Sequence, residues 1–291
     1  MLRIVIAQPD IKIFKTCIET VANVFSGPKT FKFMPDRMQF QGMDQGSVFV
    51  FFDILKEYFK TYELDNDVLE LRVDVGDFKK ILSRPMDESE LLTMEFNSSN
   101  KLELSFKKDT NNNKRKYELA LHNPDDDTEK RDIAEVIKSI PLTVGMNCKS
   151  GLLKKAFGDV AIAAEKDAKH LIVTGNHDII TFQVNNGSEG MNALVELPTG
   201  EQDEYEVLTD DPIFNIKASY DMEYIDKVIK LDDLTTKTLF QLDTDKPARF
   251  TFRIHEYIEF VFVEAPLVEE ADDESDDSNT DEYGADEGPE E

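Results

Sequence analysis

The chain has little cysteine and no long hydrophobic run, and both absences limit what it can be. Among 291 residues only Cys17 and Cys148 are cysteines, and they lack the CxxC spacing of a zinc site. We therefore expect neither a disulfide framework nor a structural zinc ion, and both thiols are predicted to be small buried residues. No apolar run reaches the roughly 18 residues that cross a bilayer, and no basic and apolar leader opens the sequence. No membrane contact and a location inside the cell are expected.

Catalytic and phosphate-binding signatures are also missing. The four histidines are scattered, without a second histidine at i+4 or a cysteine nearby. Glycines at 145, 151 and 158 do not form a phosphate loop, so a nucleotide hydrolase would lack its main requirement. The acidic run at 125–127 fits a solvated linker better than a metal site. The chain is predicted to be a non-enzyme with no catalytic residue, no cofactor and no metal ion.

Acidic residues dominate the composition. Lys and Arg number 33 against 60 Asp and Glu, for a formal net charge of −27. Residues 267–291 hold 13 carboxylates and no Lys or Arg. So polar a segment cannot offset its ordering entropy, and it is predicted to be a disordered acidic tail. The net charge by itself argues against DNA binding, because like charges repel. A salt-adapted surface is a rival explanation, which the predominance of Lys over Arg does not favour.

An internal repeat organises the rest of the chain. Residues 71–82 have the pattern of a strand followed by an amphipathic helix, and residues 216–231 repeat it. Residues 2–25 and 142–164 supply two further copies. Segments with strand patterns separated by turn residues follow each copy. The predicted fold class is therefore α+β, with antiparallel sheets and two pseudo-repeated domains, each made of two βαβββ units.

The repeat also sets the predicted domain boundaries. An N-terminal domain is expected at 1–122, a linker at 123–141, and a C-terminal domain at 142–266. Prolines bracket the linker. Its apolar residues have helical spacing and should lie against a surface: Ile133, Val136, Ile137 and Ile140.

All four predicted helices carry lysines away from their apolar faces. Simple solvation explains lysines on any one helix, but recurrence at four equivalent places favours a shared function. If the helices lie on one side of the sheets, they present one basic surface on an acidic body. Lysine is a flexible point charge, so such a surface would bind phosphates without reading bases. The candidate DNA-binding residues are Lys12, Lys15, Lys79, Lys80, Lys154, Lys155, Lys227 and Lys230.

The order and spacing of several segments resemble the proliferating cell nuclear antigen type of DNA sliding clamp found in archaea, eukaryotes and some viruses. These segments are 38–50, 58–62, 73–82, 224–230 and 247–266, and the resemblance covers about 1–266. It implies three chains joined head to tail into a ring, with sheets outside and helices around a central hole. The lysines above would then face duplex DNA. Ser83 stands where relatives often have a basic residue.

The same resemblance implies a processivity factor and its partners. DNA polymerase, clamp loader, flap nuclease and ligase would dock through short peptides of the Q-x-x-apolar-x-x-aromatic-aromatic type. A homotrimer is expected, with a heterotrimer as the alternative. The rival function is an acidic interaction scaffold that does not encircle DNA. Positions matching the peptide pocket are Met43, Val48, Val50, Ile133, Val136, Pro247, Val263, Ala265 and Pro266.

Subunit contacts are expected at exposed sheet edges, one in each half of the chain. The candidate strands are 117–122 and, in the next subunit, 179–185. Pairing them would remove both edges and close the ring. The candidate interface residues are Tyr117, Leu119 and Leu121 on the first strand, and Ile179, Thr181 and Gln183 on the second.

Overall fold

The computed structural model describes the folded body of the chain. The described residues are 1–44, 46–84, 90–98, 100–108, 114–123, 133–164, 170–186, 190–200, 202–211 and 213–267. The predicted acidic tail lies outside them except for Leu267, and the first part of the predicted linker lies outside them as well. None of the helices in this part of the chain is long and apolar enough to cross a membrane.

The described residues form an α+β fold, as the sequence predicts, with short helices between many strands. The α-helices are α1 (Asp10–Val24), α2 (Val75–Leu82), α3 (Ile133–Lys138), α4 (Leu152–Ala161) and α5 (Met222–Val228), and a 3₁₀ segment (Ile229–Leu234) continues α5. The first-half strands are β1 (Leu2–Ile6), β2 (Pro28–Met34), β3 (Arg37–Asp44), β4 (Val48–Leu55), β5 (Thr61–Leu64), β6 (Leu69–Asp74), β7 (Glu90–Phe96), β8 (Lys101–Lys108) and β9 (Lys114–Ala120). The second-half strands are β10 (Val144–Lys149), β11 (His170–Asn176), β12 (Ile179–Val184), β13 (Ala193–Pro198), β14 (Tyr205–Thr209), β15 (Asn215–Asp221), β16 (Lys237–Leu242), β17 (Ala248–His255) and β18 (Ile258–Glu264).

The four predicted βαβββ units are present, with one addition in each half. Strand β5 lies between the first two units and β14 between the last two, and the sequence analysis identified neither strand. Each pairs with the opening strand of its half, β5 with β1 and β14 with β10. These strands extend the sheets by one strand at the same place in both halves.

The sheets show the pseudo-repeat directly. The five-stranded order β5-β1-β7-β8-β9 has its counterpart in β14-β10-β16-β17-β18, and the four-stranded order β4-β3-β2-β6 has its counterpart in β13-β12-β11-β15. Inside the chain, β18 pairs antiparallel with β4 and joins the halves into one nine-stranded sheet. Phe52 and Phe260 stack across this junction with ring centroids 5.7 Å apart. The equivalent strands β9 and β13 each end a sheet, and in the part of the chain that the structure describes each has one edge without a partner strand.

The helices pack side by side over the sheets. Helix α1 contacts α2, α5 and the 3₁₀ segment, and the 3₁₀ segment contacts α4. Their apolar faces enter a core rich in phenylalanine, as where Phe14 and Phe31 both meet the ring of Phe78 edge-on. Helices α2 and α5 begin at equivalent places, because Asp74 and Asp221 each cap a helix with their side chains.

Linker helix α3 lies on the opposite face of the junction between β4 and β18. Ala134 is buried there, and Ile133 and Ile137 pack beside it. Together they cover a small apolar cluster separate from the main core, made of outward-facing side chains of the two junction strands: Phe49, Phe51, Val261 and Val263. The prediction that the linker lies against a surface is confirmed for Ile133 and Ile137 and wrong for Val136, which is 64% exposed. The helical spacing of these residues corresponds to a real helix.

Candidate functional site

The helical layer carries all eight predicted lysines. Each lies on α1, α2, α4, α5 or the 3₁₀ segment that follows α5. The same elements also carry eight carboxylates: Asp10, Glu19, Asp77, Asp159, Glu223, Asp226, Asp232 and Asp233. The layer is therefore neutral in a chain of net charge −27, so the negative charge resides elsewhere. A neutral surface repels DNA less than an acidic one does.

Four of the lysines are partly neutralised by ion pairs. Lys15 lies 3.7 Å from Glu19, Lys80 lies 2.8 Å from Asp77, and Lys227 lies 3.0 Å from Glu223, while Lys154 pairs with Asp233. Exposed pairs of this kind are weak, so each ammonium can exchange its carboxylate for another anion. Lys12 and Lys155 are exposed and have no ion pair among the described residues.

Lys79 and Lys230 lie deeper in the layer. Lys79 donates a hydrogen bond of 2.6 Å to Asn23. Burial lowers the pKa of Lys230, the charge of Lys79 lowers it further, and Glu19 opposes both effects. Glu19 also accepts a hydrogen bond of 2.8 Å from Ser83. Helices α1, α2 and the 3₁₀ segment thus share one polar cluster, in which Ser83 stabilises the carboxylate and adds no positive charge.

The predicted pocket residues divide into accessible and buried groups. Met43 and Val136 are 46% and 64% exposed. Val48 and Val50 are buried in the main core, and Val263 is buried beneath α3. Val48 and Val50 therefore offer no surface to a peptide, and Val263 offers none while α3 is in place. The remaining predicted residues are partly buried: Ile133, Pro247, Ala265 and Pro266.

Helix α3 is held at its C-terminal end by two basic side chains. The Arg249 guanidinium donates to the main-chain carbonyls of Ile137 and Lys138 at 3.3 and 2.6 Å, which satisfies oxygens that a helix end leaves unpaired. The Lys138 ammonium lies 3.9 Å from the ring centroid of Phe51 and 3.4 Å from Glu259. The linker is therefore a fixed cover over the apolar junction cluster.

A cavity of about 390 Å³ opens beside the end of β18. Its lining includes Ala218, Ser219, Pro266 and Leu267. The Leu267 main-chain nitrogen donates to the carbonyl of Ser219 at 2.7 Å, so the chain leaving β18 runs along the free edge of β15. The predicted pocket residue Pro266 thus borders a groove with both apolar groups and a strand edge.

The two predicted interface strands have different outcomes. Strand β9, with Tyr117 and Leu119, is an edge strand as predicted, and Leu121 just beyond it bridges to Val73 in β6. Strand β12 is not an edge strand, because it pairs with β11 on one side and β13 on the other. The prediction that Ile179, Thr181 and Gln183 form an exposed edge is therefore wrong.

Among the described residues of the second half, β13, β14 and β15 each lie at the end of a sheet, and β13 is the one equivalent to β4 of the internal junction. Leu194 on this strand is 53% exposed, and Met191 just before it is 55% exposed. Two exposed apolar side chains beside an unpaired strand are typical of an interface. The order of strands in a sheet cannot be read from the sequence of any single strand, so the sequence analysis did not select β13.

Two comparisons with known proteins find similarities to this chain. Residues 1–130 match the family model "Proliferating cell nuclear antigen, N-terminal domain". A crystal structure of PCNA from Thermococcus kodakaraensis is similar to this chain at 17% sequence identity with a TM-score of 0.75, over 92% of this chain and 100% of that one. The second comparison shows the shared fold across both halves. Comparison with curated protein sequences finds no match.

Proposed function

Because this chain belongs to the proliferating cell nuclear antigen family of sliding clamps, we propose that three copies join head to tail into a ring that encircles duplex DNA. The family comprises non-enzymatic scaffolds, and this chain is one of them. The ring would hold a DNA polymerase and other replication or repair proteins on DNA. The same proposal places the protein wherever the DNA of its cell lies.

The internal junction between β18 and β4 is the observation that carries this proposal. It is an antiparallel pairing between the last strand of one five-stranded unit and the edge of a four-stranded unit. The equivalent strands β9 and β13 do not pair with each other, and among the described residues each has a partner strand on one side only. If β9 of one copy paired with β13 of a second copy as β18 pairs with β4, the first copy would still have a free β13 and the second a free β9. The contact would therefore be head to tail. If the rotation closes after three copies, no such edge remains.

The charge distribution supports passage of DNA through the ring. The neutral helical layer would face the DNA, and the acidic surfaces would lie elsewhere. Weak ion pairs let the lysines reach phosphates transiently, which suits a clamp that stays bound by topology and moves along the duplex. The interaction would be independent of sequence, because phosphate contacts carry no base information.

Peptide docking is the second part of the proposal. Met43 and Val136 are exposed, and the partly buried Pro266 borders the groove beside Leu267. An extended peptide with aromatic anchors fits such a groove. The closed position of α3 supports docking beside the linker and not beneath it.

The mass of the purified protein in solution tests the assembly. We expect a species of three chains, and we expect Leu194→Glu to shift it toward monomer because the new charge lies on the β13 edge. The matched control is Ile213→Glu, at an apolar residue that is 80% exposed and lies outside every strand. A trimer that tolerates Leu194→Glu as well as Ile213→Glu would contradict pairing through β13.

A further inference from the structure

Two lysines at the free edge of the first half lie in an unfavourable arrangement. Lys107 of β8 is directly opposite Lys114 of β9, and both side chains are exposed. Directly opposed like charges destabilise a sheet. The next lysine on the same face, Lys116, is instead paired with Glu103 at 2.8 Å. Lys107 and Lys114 have no ion pair within the described chain.

We propose that Glu196 of a second copy of this chain supplies the missing carboxylate and lies opposite Lys114 in the ring. The inference rests on the proposed head-to-tail ring and adds the residue contact that holds it. It follows from matching the two halves position by position. The matching takes two steps, one for each strand of the contact.

The first step matches β13 with β4. Phe40 lies four residues after the two-residue turn that ends at 36, and Phe182 lies four residues after the turn that ends at 178, so they are equivalent. Phe52 of β4 is opposite Phe40, and Val195 of β13 is opposite Phe182. Val195 is therefore the counterpart of Phe52.

The second step matches β9 with β18. Ile4 and Met146 are buried residues of the opening strands, and each precedes the first buried residue of the next helix by seven positions. Residues directly opposite one another lead from these two positions across the sheets to the last strands. The two series are Ile4, Met94, Leu104 and Tyr117, and Met146, Phe240, Phe250 and Phe262.

The internal junction then gives the register between subunits. Phe262 is opposite Val50 in that junction, so its counterpart Tyr117 would be opposite Ala193. Antiparallel pairing at this register places Lys114 opposite Glu196. Glu196 is exposed, as Lys114 is, and its neighbours Val195 and Leu197 pack toward the core. The two charged side chains therefore leave the new sheet on the same, outer face.

The equivalent row of the internal junction is also charged, so charged side chains are accommodated at this place, although there the two residues that face each other across the junction are both carboxylates and pair with basic side chains beside them. Across β17, β18 and β4 that row is Arg253, Glu259 and Asp53. There Arg253 lies 3.9 Å from Glu259, and Arg37 lies 3.4 Å from Asp53. Between subunits the row would be Lys107, Lys114 and Glu196, with the carboxylate at the end. The third residue resolves the repulsion between the other two, so ring closure is favoured by charge as well as by strand pairing.

Charge-swap variants test the contact through the mass of the full-length chain at several protein and salt concentrations. Reversing either member alone, with Lys114→Glu or Glu196→Lys, should weaken each contact about tenfold, because one opposed pair is removed and a like pair is created. Carrying both changes together should restore assembly to within a few-fold of the unmodified chain. Lys60→Glu and Glu57→Lys make the same charge changes at exposed sites outside the strands and should leave the trimer intact.

The outcomes separate this inference from the ring itself. If the unmodified chain is a trimer and neither single variant changes it, the ring remains and the charge contact is wrong. If both single variants weaken the trimer and the double variant does not recover, the two residues act separately and the inference fails. If the mass is unchanged but Lys114→Glu shortens retention on DNA, the lysine pair binds phosphate instead. A monomeric unmodified chain would contradict the proposed homotrimer and this contact together.

Discussion

Glu264 is a carboxyl group buried where the two halves meet. One oxygen accepts a 2.7 Å hydrogen bond from the main chain of Asp221, and the other has no hydrogen-bond partner within the described chain. Burial raises the pKa of Glu264 well above its ordinary value, and the nearby Asp221 charge adds to the effect. Glu264 lies at the end of β18, beside the predicted pocket residue Ala265, so a change at Glu264 could affect both the stability of the fold and peptide docking.

Replacing Glu264 by glutamine should stabilise the fold at neutral pH. A carboxyl with a raised folded-state pKa favours folding only while it is protonated, so its contribution is lost as pH rises from the unfolded pKa through the folded one. Glutamine keeps an oxygen acceptor for Asp221 and removes the charge. We expect Glu264→Gln to raise the free energy of unfolding at pH 7 by about 1 to 3 kcal/mol in urea denaturation. The gain should shrink as the pH falls through the raised folded-state pKa of Glu264 and should be gone by about pH 4, near the unfolded pKa.

Glu90 is the matched control for that variant. It is also buried, but it accepts two hydrogen bonds from Arg115 at 2.7 and 2.8 Å. Glu90→Gln should therefore destabilise the protein at pH 7. If both glutamine variants change stability in the same direction, burial without compensation is not what distinguishes Glu264.

Lysines without ion pairs should matter most for DNA binding. We expect Lys12→Ala and Lys155→Ala to weaken DNA association more than Lys154→Ala and Lys227→Ala, because the latter two are already neutralised by carboxylates. Removing one lysine that binds a phosphate should reduce the slope of log affinity against log salt by about 0.9. Association measured across a salt series checks this, and equal slopes for all four variants would contradict the ranking.

At the scale of elements, linker helix α3 has two faces with different surroundings. Ile137 faces the apolar junction cluster, whereas Val136, one position away, points to solvent. The anchors from Arg249 and Lys138 fix which face is which. If a partner peptide docks as proposed, it would meet the outer side of α3, and the residue that it touches would differ from the one that stabilises the linker.

The two neighbouring linker residues should separate docking from stability. We expect Val136→Asp to weaken binding of a Q-x-x-apolar-x-x-aromatic-aromatic peptide about tenfold or more while the melting temperature changes little. Ile137→Asp should lower the melting temperature because it places a charge against Phe51 and its neighbours. Peptide titration and thermal denaturation measure the two effects. Tighter peptide binding in Ile137→Asp would indicate that peptides displace α3.

The sequence predicted the presence of these elements better than it predicted which strands pair with one another. Alternating and helical periodicities identified the four strand-helix units, and the spacing of Ile133, Val136 and Ile137 predicted that the linker is helical. Strands β5 and β14 were missed because β5 is only four residues long and β14 is mostly exposed. The choice of β12 as an edge was wrong because a hairpin pattern does not reveal what pairs with its far side.

Contacts between residues far apart in the sequence determine how α4 is capped and which carboxylates pair with the lysines, and neither could be predicted from the sequence. Helix α4 begins at Gly151, which has no capping side chain, and Asp232 from the distant 3₁₀ segment accepts from the main chain of Lys154 instead. Only the folded chain brings these residues together. Likewise, the eight lysines were predicted correctly as a group on the helices, but their carboxylate partners come partly from other elements, as Asp233 does for Lys154.

At the scale of the whole molecule, the fold separates charge by surface. The chain is strongly acidic, yet its helical layer is neutral, and the free edges of β9 and β13 differ in character. Strand β9 offers Lys114, while β13 offers Glu196 and exposed apolar side chains. In the proposed ring, each copy would supply one side of the head-to-tail contact with β9 and the other side with β13.

Retention on DNA after loading by a clamp loader tests the central claim most directly, because a ring is held by topology and not by affinity. We expect the loaded protein to remain on closed circular DNA through a high-salt wash and to leave when the circle is cut once. End-blocked linear DNA should retain it as the circle does. Equal release from circular and cut DNA would contradict the encircling ring.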